Sequence, residues 1–106
     1  MKKNGFVVST LVLLALVHAL PTAAADAPDG KALYASKCAM CHGADGVAKK
    51  MAEGSANLND PEWQKKTPVE AISKVTHDGK GKMAKFEGKL TAEQITAISE
   101  YVKTLK

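Results

Sequence analysis

Apolar residues fall in helical register in three parts of the chain. The clearest is the C-terminus, where Ile95, Ile98, Val102 and Leu105 recur at spacings of three and four, with Tyr101 on the flank. Thr91-Ala92-Glu93-Gln94 ahead of it has the form of a capping box, and Leu90 with Ile95 fits the apolar staple of a helix entry. Ala71, Ile72 and Val75 make a second stripe. Thr67-Pro68-Val69-Glu70 predicts a capping box for it with proline in the first turn, and Asp78-Gly79 predicts its end. A third helix is expected from about Pro28 or Asp29 to Lys37, capped by Asp26 or Asp29, with Leu33 and Tyr34 on a face with Gly30. Gly30 either admits another helix at close range or marks a frayed start. Pro61-Glu62-Trp63-Gln64 behind Asp60 predicts one short helical turn. Val47 to Asp60 and Gly79 to Lys89 have no sustained period and read as loops, while Gly43-Ala44-Asp45-Gly46 and Asn57 to Pro61 carry turn residues. No alternation supports a strand, so the chain reads as all-α.

The N-terminus has a different character. Lys2 and Lys3 precede an apolar run from Phe6 to Leu20, broken only by Ser9, Thr10 and His18, and Pro21 ends it. Ala23 and Ala25 give the small-x-small pattern of a signal-peptidase site. Residues 1–25 are therefore expected to be a cleavable signal peptide, with one domain over residues 26–106. The run is short for a membrane span of about 20 residues, which makes an uncleaved anchor the lesser reading. Export places the domain in a bacterial periplasm.

Composition adds two constraints. The chain has 15 basic residues, all lysine, against 11 acidic ones. Without Lys2 and Lys3 the excess is mild, and the absence of arginine argues against nucleic-acid binding. A domain of about 80 residues is close to the size at which a core alone is marginal. Its only aromatics are Tyr34, Trp63, Phe86 and Tyr101, so something else should help to fill the interior.

Cys38-Ala39-Met40-Cys41-His42 supplies a candidate. C-x-x-C-H is the pattern of covalent haem attachment. Two intervening residues let both sulfurs leave one turn of backbone and form thioethers on one edge of a haem, and the histidine that follows can ligate the iron. Three other chemistries use paired cysteines. A dithiol redox pair belongs at a helix start in a βαβ pattern, which is not seen here. A zinc site wants four ligands, and beyond the leader only His42 and His77 could join the two cysteines. A tight disulfide would leave His42 without a role. The adjacency of His42 favours haem.

A second axial ligand decides whether such an iron binds small molecules or passes electrons. Met40, Met51, Met83 and His77 are candidates. Met40 lies inside the attachment turn on the wrong side, and His77 reads rather as a cation at a helix end than as a ligand. A lone loop methionine such as Met83 reads, by itself, as core filling. Trp63 suits either the core or a hydrogen bond to a haem propionate.

Gly79-x-Gly81-x-Met83-x-x-Phe86, then Gly88-x-Leu90-Thr91 and the amphipathic last helix, resembles the class I c-type cytochromes. Asp29-Gly30-Lys31-x-Leu33-Tyr34 before the cysteines and Tyr101 in the last helix also resemble that family, over essentially all of residues 26–106. The resemblance implies a small all-α cytochrome c fold, three to four helices around one covalent haem, with the first and last helices crossing near Gly30, Tyr34, Ile98 and Tyr101. It implies that Cys38 and Cys41 hold haem c, that His42 is the proximal iron ligand, and that Met83 is the distal one. The family usually has proline after the distal methionine, where this chain has Ala84; the loss should loosen the loop. It often has proline before the asparagine–leucine pair, where this chain has Ala56, whose backbone carbonyl should still be able to orient the proximal imidazole.

The expected function is that of a one-electron carrier, not an enzyme, working between redox protein partners as a monomer without a small-molecule substrate. Lys80, Lys82, Lys85 and Lys89 are expected to border the haem edge and to face an acidic partner surface. The alternative is a haem enzyme or sensor with an open or displaceable distal side, and a haem-free thiol oxidoreductase ranks behind both.

Overall fold

The computed structural model describes residues 27–106, together with Gly5 and Ala15. The leader expected over residues 1–25 lies outside the described residues apart from those two. Among the described residues there are helices, turns and two isolated bridges, and no strand.

Helix α1 spans Gly30–Lys37. Asp29 starts it, its carboxylate accepting the Ala32 N–H at 3.1 Å, so Pro28 stays outside the helix. A one-turn α2, Ala39–His42, follows directly, with Cys38 as the hinge between the two. The segment Val47 to Asp60 is loop, as its aperiodic sequence predicts, except for a 3-10 turn at Lys50–Ala52. Helix α3, Pro61–Lys66, is longer than the single turn expected and begins as expected: the Asp60 carboxylate accepts from Glu62 N and Trp63 N. Helices α4, Val69–Asp78, and α5, Ala92–Val102, complete the set.

The two predicted capping boxes have different outcomes. At α5 the box is formed in both directions, Gln94 N to the Thr91 hydroxyl and Thr91 N to the Gln94 side chain. At α4 it is absent. Pro68 occupies the cap position in extended geometry and offers no side-chain acceptor. The helix begins one residue later than the box requires, at Val69, so Pro68 stands in the position expected for Thr67, and Thr67 ends α3 instead.

Helix α5 is the hub. It packs against α1 on one side and α4 on the other. Its stripe behaves as the spacing predicts, with Ile95, Ile98 and Val102 buried, and Leu105 just beyond the helix buried too. Tyr34 of α1 and Ile72 of α4 join Ile98, Val102 and Leu105 in one cluster, flanked by half-buried Leu33, Cys38, Leu58, Trp63, Leu90 and Tyr101. Each fully buried side chain of this size contributes about 1.5–3 kcal/mol relative to exposure.

The α1–α5 crossing settles the meaning of Gly30. A Cβ there would stand 2.1 Å from the Ala97 carbonyl oxygen, so only glycine lets the two backbones meet. One turn along, Tyr34 and Tyr101 lie with ring centroids 5.3 Å apart and planes inclined at 57°. This is the crossing the sequence predicts, at the residues it predicts.

Candidate haem site

The Cys38–His42 motif folds as a single helical turn. Cys41 N and His42 N both donate to the Cys38 carbonyl, at 3.1 and 2.9 Å, which fixes the two cysteines and the histidine relative to one another. Gly43 closes the turn and its carbonyl accepts the Tyr34 hydroxyl at 2.6 Å, a buried bond that ties the motif back to the core. From the other direction, Lys49 N donates to the Cys41 carbonyl at 2.8 Å.

Both thiols are free and half-buried. Burial, and secondly the charge of Cys41, pushes the Cys38 thiol up from 9.0 to about 11. That is the opposite of the lowered thiol that a dithiol oxidoreductase needs. Zinc fares no better, since no group of three or more His, Cys, Asp or Glu side chains that could hold a metal ion gathers among the described residues. His42 is held below its ordinary 6.5 by burial, which keeps the imidazole neutral and so able to ligate.

The His42 Nδ1 atom is buried and has no hydrogen-bond partner. This corrects one expectation. The backbone carbonyl of Ala56 does not orient the ring, and Ala56 itself is exposed. The loop is braced instead by Asn57, whose side-chain oxygen accepts Ala48 N at 3.0 Å, and by Leu58 N, which donates to the Gly46 carbonyl at 2.8 Å. Two free thiols and a neutral imidazole, all on one turn, are a donor set that fits haem c.

Met83 arrives from a separate part of the fold. It sits half-buried in the loop after α4, where Lys80 and Met83 exchange both backbone bonds, at 3.1 and 2.9 Å. Gly79, at a φ of 76°, makes the approach possible: a Cβ there would lie 2.7 Å from the Met83 carbonyl oxygen. Phe86 N and Glu87 N then bond to the Thr76 and His77 carbonyls, stapling the loop to the end of α4. Helices α2 and α4 do not touch; α1 and α5 connect them. The structure therefore groups Cys38, Cys41 and His42, and holds Met83 on a different support.

The other candidates are placed plainly. Met40 and Met51 are exposed, at 66% and 64%. His77 is exposed at the end of α4 and bonds Asp78 through Nδ1 at 2.7 Å. Trp63 is half-buried against the core cluster. Sequence reasoning overlooked Gln64 and Lys103, whose side chains bridge α3 and α5. A lysine directly after an apolar stripe is the only local hint of that role.

Comparison with known proteins identifies the family. The family model described as "Cytochrome C oxidase, cbb3-type, subunit III" matches residues 25–102. A cytochrome c6 from Nostoc sp. strain PCC 7120 is 32% identical over 92 residues, covering 87% of this chain and 82% of that protein. Among solved structures, the KustC0563 c-type cytochrome superposes with a TM-score of 0.70 at 37% identity, covering 74% of this chain and 98% of the other. Cytochrome c6C from Synechococcus sp. PCC 7002 gives 0.61 at 34% identity, over 71% of this chain and 90% of the other. The chain belongs to the small class I c-type cytochromes. Its cofactor is covalent haem c with its iron, and its role is electron transport.

Proposed function

We propose that the protein is a periplasmic one-electron carrier in which Cys38 and Cys41 form the haem thioethers and His42 and Met83 are the axial ligands. The observation that carries the reading is the single turn of α2, which with Cys38 at its cap gathers two free thiols and a neutral imidazole. The bound haem supplies the one-electron couple. The chain's own residues anchor it, hold both ligands and bury it. Export follows from residues 1–25 as a cleaved leader. Among the described residues no helix is long and apolar enough to cross a membrane.

The competing reading, an enzyme or sensor with an open distal side, draws on Ala84. The bonds around Met83 weigh against it. The Lys80–Met83 turn and the staples at Phe86 and Glu87 supply by hydrogen bonding the rigidity that a proline would supply covalently. A visible spectrum of protein from the periplasm, oxidised and reduced, tests the whole reading. The expected result is haem that survives denaturing extraction and an iron that is six-coordinate in both states. Haem lost on extraction removes the thioethers, and a five-coordinate iron removes Met83.

Partners are redox proteins, met by this chain as a monomer. Lys80, Lys82, Lys85 and Lys89 are all exposed, and among the described residues none of them makes an ion pair. They suit an acidic partner surface, reached faster at low salt. Replacing the four by glutamine is expected to flatten the salt dependence of the electron-transfer rate; unchanged salt dependence would return them to a solvated face.

A further inference from the structure

The last turn of α5 is tied to α3 by two long side chains. Lys103, which ends α5, turns its ammonium onto the Gln64 carbonyl and onto the Thr67 carbonyl, the latter at 2.9 Å. Gln64 reaches out in return. Its Nε2 donates to the Leu58 carbonyl at 2.6 Å and to the Val102 carbonyl at 2.9 Å. The Leu58, Gln64 and Thr67 carbonyls are thereby satisfied, and the Val102 carbonyl, which also accepts Leu105 N at 3.1 Å, gains a second bond. The cation also suits the negative end of α3.

The bonds continue beyond Leu58. Leu58 N donates to the Gly46 carbonyl, Ala48 N to the Asn57 side chain, and Lys49 N to the Cys41 carbonyl. A run of bonds thus leads from α5, through α3 and the Asn57–Leu58 pair, to the turn that carries Cys41 and His42. His42 has no orienting bond at Nδ1, so its pose depends on the backbone around it.

We infer that Lys103 and Gln64 are positioning residues, clamping Leu58 between α3 and α5 and through it holding the His42 turn in place. The inference rests on His42 as an iron ligand. A surface lysine ordinarily keeps its ammonium in water; this one is half-buried and bonded to carbonyls 36 and 39 residues earlier in the chain.

The test uses the haem-loaded protein with Lys103→Met, Gln64→Met, the double variant and Lys103→Arg. Amide hydrogen exchange over residues 43–58 and the reduction potential are measured together. Each methionine variant should raise exchange at Ala48, Lys49 and Leu58 by roughly five- to tenfold, leaving α1 and α4 amides unchanged. Each should also move the potential. Gln64→Met removes no charge, so its shift reports positioning alone. The double variant should add little to either single one, because both break one network. Lys103→Arg keeps the donors and should restore both readouts. Exchange rising equally in every helix, or an unmoved potential in Gln64→Met, overturns the inference. His42→Ala separates this result from the ligand reading: a variant with the unmutated spectrum removes that reading whatever the clamp variants do.

Discussion

At the scale of single residues, the site divides into one part whose chemistry is written in its spacing and one part whose chemistry depends on placement. Cys38, Cys41 and His42 belong to the first. Their helical turn is local, so their grouping was legible before any fold was known. Met83 belongs to the second, because its use as a ligand depends on where the α4–α5 loop carries it. Met83→Ala is expected to lower the reduction potential, since a thioether favours ferrous iron. It should also open the iron to carbon monoxide or cyanide. Met51→Ala should do neither, because Met51 is exposed on its own turn. Ala84→Pro should make displacement of Met83 harder than in the unmutated chain. Potential and ligand titrations on the three variants check this, and a Met83→Ala protein indistinguishable from its parent would shift the balance to an open-site haem protein. The ring of His42 shows where spacing stops informing. Which backbone group faces Nδ1 is a long-range fact, and the carbonyl expected from Ala56 does not face it.

At the scale of elements, what could be read locally is what each helix decides for itself. Asp29, Asp60 and Thr91 cap the helices they precede, because a cap needs only its own first turn. Thr67 does not cap α4: the helix starts at Val69, Pro68 takes the cap position, and Thr67 ends α3, with Lys103 bonding its carbonyl from 36 residues away. The same distance hides Gln64, whose bond to Val102 joins positions 38 residues apart. Gly30 is a partial exception: its missing side chain offered the long-range contact as one of two readings, and the family resemblance favoured it. Its role gives a sharp expectation. Gly30→Val would drive side-chain atoms into the Ala97 carbonyl, where even a Cβ lies at 2.1 Å. Overpacking of this kind costs about 1–3 kcal/mol, and here backbone rather than a flexible side chain must yield, so the upper end is expected. A shift of the denaturant midpoint measures it. A variant as stable as the parent would mean that the α1–α5 crossing is looser than the backbone separation implies.

At the scale of the whole molecule, the core is small for what it holds together. The buried apolar side chains among the described residues are Tyr34, Ile72, Ile95, Ile98, Val102 and Leu105, and all of them lie around α5. The α2 turn and the Met83 loop sit at the margins of that cluster. Cys38 is only half-buried against it, and a nitrogen of His42 is buried with nothing to bind. A domain of about 80 residues with so modest a core is marginal by itself. A haem held through Cys38, Cys41, His42 and Met83 would join these two margins, and a group bound only by the folded chain stabilises the fold by its binding free energy. Cys38→Ser with Cys41→Ser is therefore expected to leave a largely unfolded chain, with helix content well below native by circular dichroism and no cooperative thermal transition. The α1–α5 crossing is the element best able to persist, because Gly30, Tyr34 and Ile98 make their contacts without the cofactor. If the double variant instead melted cooperatively from native helix content, the core around α5 would suffice, and the haem would be a passenger in the fold rather than part of it.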